Sequence, residues 1–127
     1  MDVRDAVEED AAAMADLTGL PTAAARELLH DRSVRVAVHE DEVVGVVAFD
    51  ARPDVVHVTR LSGDPDVLPG LLAEPIRFAK REGMAVELVV PAGDPAADVA
   101  ADEGFEDAGA GPQFEGTRTR RFRLDPA

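Results

Sequence analysis

Residues 62–83 read SGDPDVLPGLLAEPIRFAKREG, a turn-rich acidic loop running directly into an amphipathic helix. A loop that feeds a helix N-terminus is a common place to hold a phosphate. Unpaired N–H groups and the positive end of the helix dipole favour anions, and glycines let the backbone close on the oxygens. The residue types here oppose that chemistry. Asp64 and Asp66 bring negative charge, and Pro65 and Pro69 remove N–H donors. Pro75 either removes another donor or pushes the regular helix start beyond itself. The alternative is a solvated turn in which Asp66 caps the helix. Other reactive residues are sparse. The chain has no cysteine, which excludes thiolate chemistry and disulfides. His30, His39 and His57 have no metal-ligand spacing, so no metal site is indicated. The tail RTRRFR carries Arg118, Arg120, Arg121 and Arg123, four of the thirteen bases. Such a basic strand suits an anionic ligand or an acidic partner. Equally, it pairs across a sheet with Glu87, Glu106 or Glu115 and deters edge-to-edge aggregation.

The whole composition frames these residues. A chain of 127 residues fits one domain, 1–127, large enough to bury a core without disulfides or metals. Acids outnumber bases 26 to 13, and Lys80 is the one lysine. With abundant Ala and Val and only five aromatic residues, all Phe, this balance suggests adaptation to concentrated salt, where screening removes self-repulsion. An ordinary acidic protein is the alternative. On either reading nucleic acid is disfavoured as a partner, because its phosphates would be repelled. No apolar run is long enough to span a bilayer and no basic, apolar, cleavable leader opens the chain. The expected location is the cytoplasm.

The elements that must position these residues alternate along the chain without internal repeats. After a short extended piece, VEEDAAAMADLTG reads as a helix with Val7, Ala11, Met14 and Leu17 on one side, stopped by Gly19. PTAAARELLHD is a second helix. SVRVAVHEDEVVGVVAFD alternates Val34, Val36 and Val38, turns at Glu40–Asp41 and returns as an apolar strand, a β-hairpin. DVVHVTRL, residues 54–61, is a further strand. The acidic loop and its helix follow, then the apolar strand MAVELVV, 84–90. An Ala- and Asp-rich helix ends at Gly104, with one more short strand expected near Phe105, and GTRTRRFRL supplies the last strand. Strands apolar on both faces and flanked by helices imply an α/β fold: a central mixed sheet of six to seven strands with helices on both faces.

Several of these stretches resemble the GNAT N-acetyltransferases. VRDAVEEDAAAM is similar to that family's opening, a strand ending in Arg followed by acids entering the first helix. RVAVHEDEVVGVVAFD resembles its second and third strands, including a glycine, Gly45, at the start of the third. LLAEPIRFAKREGMAVELVV aligns without gaps to its third helix and fifth strand, and ADEGFEDAG to the end of its fourth helix. Each motif alone is weak; their order and spacing together carry the resemblance across nearly the whole chain.

The resemblance implies a sheet whose fourth and fifth strands splay, with acetyl-CoA wedged between them and an amine, small-molecule or peptide, as acetyl acceptor. Backbone groups of the fourth strand, near Val58, would meet the pantetheine. The loop pattern, Gln or Arg, two residues, Gly, one residue, Gly or Ala, falls on Gly63, Asp66 and Leu68, and none of the three matches. The family's frequent tyrosine proton donor on the fourth helix aligns with Ala100, and the chain has no Tyr. Family bases lie near the fourth and fifth strands, which makes His57 and Glu87 the candidates here. A histidine suits deprotonation of an ammonium group near neutral pH. The alternative packs His57 under a helix and pairs Glu87 with an arginine of the last strand. Two functions follow: an N-acetyltransferase-like enzyme, or a catalytically inactive protein of the same fold acting as an interaction, regulatory or sensing module. A homodimer is left open.

Overall fold

Glu40 and Asp41 both take left-handed φ, 51° and 66°, the two-residue turn whose twist matches that of the strands it joins. In the computed structural model, which describes residues 1–113 and 116–126, this turn joins two neighbouring strands of a seven-stranded sheet. The first strand, β1 (Asp2–Asp5), pairs antiparallel with β2 (Ser33–His39), and β2 pairs across the turn with β3 (Glu42–Ala51). Next comes β4 (Val55–Gly63), antiparallel to β3, then β5 (Ala85–Pro91), parallel to β4. Two antiparallel strands, β6 (Glu106–Ala110) and β7 (Thr119–Leu124), finish the sheet with β7 inside, giving the order β1-β2-β3-β4-β5-β7-β6.

Helices cover the two faces unequally. A 3₁₀ turn (Glu8–Asp10) leads into α1 (Ala11–Thr18), which Gly19 ends in the left-handed conformation at φ 77°. Helix α2 (Thr22–Asp31) packs with it. Ala11, Met14 and Ala25 from these helices meet Val34, Val36, Val46 and Ala48, so they cover β2 and β3. Val7, expected on the same stripe, is half exposed because the 3₁₀ turn precedes the helix. On the other face lie α3 (Leu68–Glu82) and α4 (Pro95–Asp102), with Leu71, Leu72, Val99 and Ala100 against Val56, Val58, Val86 and Leu88. Each fully buried Leu or Val there contributes on the order of 1.5–3 kcal/mol. No helix is long and apolar enough to cross a membrane among the described residues.

The N-terminal Arg–acid pattern has a structural use. Arg4 donates to both carboxylate oxygens of Asp10 at 2.8 and 3.0 Å, and the Val7 N–H donates to Oδ2 at 2.8 Å. The Arg4 hydrogen bonds hold the nearly buried Asp10 carboxyl below its ordinary pKa, against the opposing effect of burial, and the Val7 N–H adds to them.

Helix α3 begins at Leu68 and continues through Pro75, which is buried inside it. Pro75 therefore neither removes a donor from the loop nor delays the helix, contrary to the sequence expectation. Its ring joins the face with Leu68, Leu71, Leu72 and Ala79, and that packing offsets the lost helical hydrogen bond.

Candidate functional site

The parallel pairing of β4 and β5 covers only Val55–Ala85, Val56–Val86, His57–Glu87 and Val58–Leu88. Beyond Val58 the two strands diverge. β4 runs on to Gly63 while bonding only β3, and β5 runs on to Pro91 while bonding only β7, among the described residues. A bulge between Ala48 and Phe49 inserts Thr59 as an unpaired residue at the point of divergence, and its hydroxyl donates to the Ala48 carbonyl at 3.2 Å. The resulting gap has a volume of about 180 Å³ and is bordered by Val58, Leu61, Leu88 and Val90, with Asp94 and Ala96 of the α4 start at its far wall. Asp94 caps α4, accepting the Ala96 N–H at 2.8 Å. Larger hollows exist, one of about 320 Å³ beside the last turns of α3. What singles out the gap is two facing strand edges whose peptide groups have no strand partner.

His57 and Glu87 stand side by side just below the gap. Val56, Val58, Val86 and Leu88 point toward α3 and α4, so His57 and Glu87 point to the opposite face. Helices α1 and α2 reach over β2 and β3 but leave this part of the sheet open. His57 is thus about one-third exposed rather than packed under a helix, and the sequence expectation is corrected. Its Nδ1 lies 3.7 Å from Glu87 Oε2. The other oxygen, Oε1, accepts from Arg123 Nη1 at 3.2 Å, and Arg123 Nε donates to Asp125 at 2.8 Å. These contacts, with Asp125 the strongest, raise the Arg123 pKa. The expected pairing of Glu87 with an arginine of the last strand therefore holds alongside its contact with His57.

The remaining tail arginines divide. Arg120 pairs with Asp107, whose carboxyl is held below its ordinary value first by the Gly109 N–H and then by Arg120. Glu106 lies in register with Arg123 without an ion pair between them, and Glu115 falls outside the described residues. Arg121, opposite Val89, and Arg60, opposite Ala48, share the open face with His57, and neither makes an ion pair among the described residues. Sequence reasoning passed over Arg60 and Thr59, because the bulge that reorients the strand leaves no mark in its residue pattern.

The acidic loop is a tight turn closed by the Val67 N–H donating to the Asp64 carbonyl at 3.0 Å. Asp64 and Asp66 are exposed, and the Asp66 side chain caps nothing, so the expected cap is absent. In the first turn of α3, Pro69 has no N–H and the Leu71 N–H is spent on the Val67 carbonyl at 3.3 Å. Leu68 and Gly70 are the donors left, and the Met1 side chain lies against Gly70. Gly63 does not stand where an arginine could replace it: its φ is 142°, and a Cβ would come 2.9 Å from the Val44 carbonyl oxygen. Ala100 is fully buried in α4 and offers no proton. Among the described residues no three His, Asp or Glu gather as a metal site would require.

No protein-family model and no curated protein sequence matches the chain. Solved structures do. A ribosomal-protein-alanine N-acetyltransferase from Brucella melitensis superposes with a TM-score of 0.80 at 19% identity, over 98% of this chain and 99% of that one. The Salmonella typhimurium acetyltransferase-type protein yncA, solved with its cofactor acetyl-CoA, gives 0.81 at 17% identity, over 100% and 94%. A GNAT-family chain from Desulfovibrio desulfuricans gives 0.78 at 17% identity, over 99% of both chains. At these identities the likeness is one of architecture. The chain has the fold of the GNAT acetyltransferases.

Proposed function

We propose that the protein is an N-acyltransferase that takes acetyl from an acetyl-CoA-type thioester held between β4 and β5 and transfers it to an amine, small-molecule or peptide. The observation that supports this is the end of strand pairing at Val58–Leu88 while both strands continue. The unpaired edges leave peptide N–H and C=O groups free to bond an amide-bearing arm, and Val58 is the last paired residue before them. A bound thioester supplies the activated acetyl carbon. The open face beneath carries the means to prepare the amine. Glu87 faces His57 Nδ1, which leaves the other ring nitrogen to accept a proton from the incoming ammonium group. The freed amine nitrogen bonds to the acetyl carbon, the carbon–sulfur bond breaks, and the remaining extra proton on nitrogen passes through water to the departing sulfur, since Ala100 supplies none. The acid surplus supports a salt-rich cytoplasm as the setting.

A second reading keeps the fold without turnover, as an interaction, regulatory or sensing module. The loop favours it: Asp64 and Asp66 are exposed where a diphosphate would sit. Amide chemical shifts recorded during titration with acetyl-CoA in molar KCl, followed by assay of thiol release with a panel of amines, separate the two. Shifts at Val58, Leu61, Val89 and Val90 with amine-dependent thiol release support the enzyme. Shifts without release support the second reading, and silence at the gap removes the first.

A further inference from the structure

The two halves of the donor site disagree. The gap keeps free strand edges and apolar walls at Leu61, Leu88 and Val90, with the Thr59 bulge at the point of divergence. The loop above it has the reverse of what a diphosphate requires. Two carboxylates are exposed there, and the 64–70 segment contains no base. Pro65 and Pro69 have no N–H, and the Val67 and Leu71 N–H groups are already bonded to backbone carbonyls. A third acid, Asp16, shares with Asp64 the hollow beside Gly63. Nor can the loop relax toward a glycine cradle. Gly63 is wedged against Gly45, and Val67 fills the space above both. In such a setting a dianionic diphosphate meets repulsion from two exposed carboxylates, with the Leu68 and Gly70 N–H groups left in the first turn of α3 to offset it.

We infer that the donor this site recognises is the acyl-pantetheine arm alone, with the diphosphate and nucleotide of CoA contributing no binding. The inference rests on the proposed acyl transfer and names its donor class. The arm's two amides bond to the free edges of β4 and β5, its gem-dimethyl and methylene groups lie on the apolar walls, and its phosphate end projects past Asp64 into solvent. Two sources carry this chemistry: free CoA bound only by its arm, or phosphopantetheine attached to a carrier protein. The reaction is unchanged: the amine nitrogen bonds to the acyl carbon, the carbon–sulfur bond breaks, and the thiol is released.

The test compares S-acetyl-pantetheine, S-acetyl-4′-phosphopantetheine and acetyl-CoA by calorimetry and amide chemical shifts on the intact chain, in molar KCl. The expected result is affinities within about threefold of one another, with shifts at Val58–Leu61 and Val89–Val90 and none over 64–70. Acetyl-CoA binding tenfold or more tighter than the pantetheine thioester, or shifts over 64–70, would overturn the inference while leaving the acyltransferase reading intact. Failure of all three to shift the gap residues would bring down that parent reading. The variant Asp64→Asn with Asp66→Asn supplies a second check that leaves the gap untouched. Measured at lower salt, where the loop charges are less screened, it should strengthen acetyl-CoA binding and leave S-acetyl-pantetheine unchanged; equal effects on both would count against repulsion at the loop. Acetylated acyl carrier protein then identifies the source. Affinity above that of the free arm points to a carrier protein, and affinity no better than the free arm points to CoA.

Discussion

Gly45 of β3 stands opposite Gly63 of β4, and neither position has room for a methyl group. A Cβ on Gly45 would lie 2.7 Å from Leu71 Cδ1, and one on Gly63 would lie 3.0 Å from the Gly45 Cα. The paired absence of side chains lets the first turn of α3 descend onto the sheet at the mouth of the gap.

Substitution at this pair is expected to be costly in different degrees. Gly45→Ala should lose about 1–3 kcal/mol through overpacking against Leu71 and Val67. Gly63→Ala should lose more, because strain at φ 142° adds about 1–3 kcal/mol to a contact with backbone that cannot move aside. Gly83→Ala, also left-handed but with open space around it, should lose only about 1 kcal/mol. Urea midpoints of the three variants check the order, and a Gly63 variant as stable as the Gly83 one would contradict it.

Stability should rise with salt. A formal charge of −13 on 127 residues is self-repulsive until screened. Melting temperature is expected to climb between low and multimolar KCl, and a flat or falling profile would remove salt adaptation as the meaning of the composition.

The Asp10 carboxyl links stability to acidity. Its folded pKa lies below the ordinary value, so its contribution is complete above about pH 3.9 and disappears as pH falls through the folded value. Asp10→Asn should therefore cost about 1–2 kcal/mol at pH 7, the half-exposed Arg4 keeping the figure modest. The gap between variant and wild type should shrink at pH 3. Denaturant unfolding at the two pH values measures it.

Under the proposed acyl transfer, His57→Ala should lower kcat by roughly 100-fold or more. Arg123→Gln should lower it by about tenfold, since Glu87 then lacks the partner that turns its second oxygen toward His57. Because the Arg123 side chain is largely solvated, stability should hardly change. Recovery of rate in Arg123→Lys would separate positioning of Glu87 from a general effect on folding.

Much of this architecture is legible in the residues themselves. The alternating valines and the Glu40–Asp41 turn define the hairpin, Gly19 and Gly104 end helices, and the strand after Phe105 is present as β6. The site is less legible, for physical reasons. Whether His57 lies under a helix depends on which strands α1 covers, a tertiary choice that strand periodicity does not encode. Pro75 looks like a breaker, yet it is kept inside α3 because its ring fills the core. Gly63 sits on the arginine position of a borrowed pattern, and only the approach of β3 shows that it must remain glycine. The exposure of Asp64, Pro65, Asp66 and Pro69, by contrast, follows from their polarity and turn chemistry and is what the fold has.

The brief parallel pairing of β4 with β5 also bears on assembly. The sheet consists of two antiparallel ribbons, 2–63 and 85–124, joined by four residue pairs and one crossover helix. The β2–β3 and β3–β4 links close over the short turns at 40–41 and 52–54, whereas the joint needs the whole crossover through α3 to be placed, so loop-closure entropy favours those two hairpins over it. The gap is thus the unfinished end of the one seam that holds the two ribbons together. Any arm lodged there bonds both ribbons at once and acts as a clasp, so occupancy and cohesion of the molecule rise together by mass action.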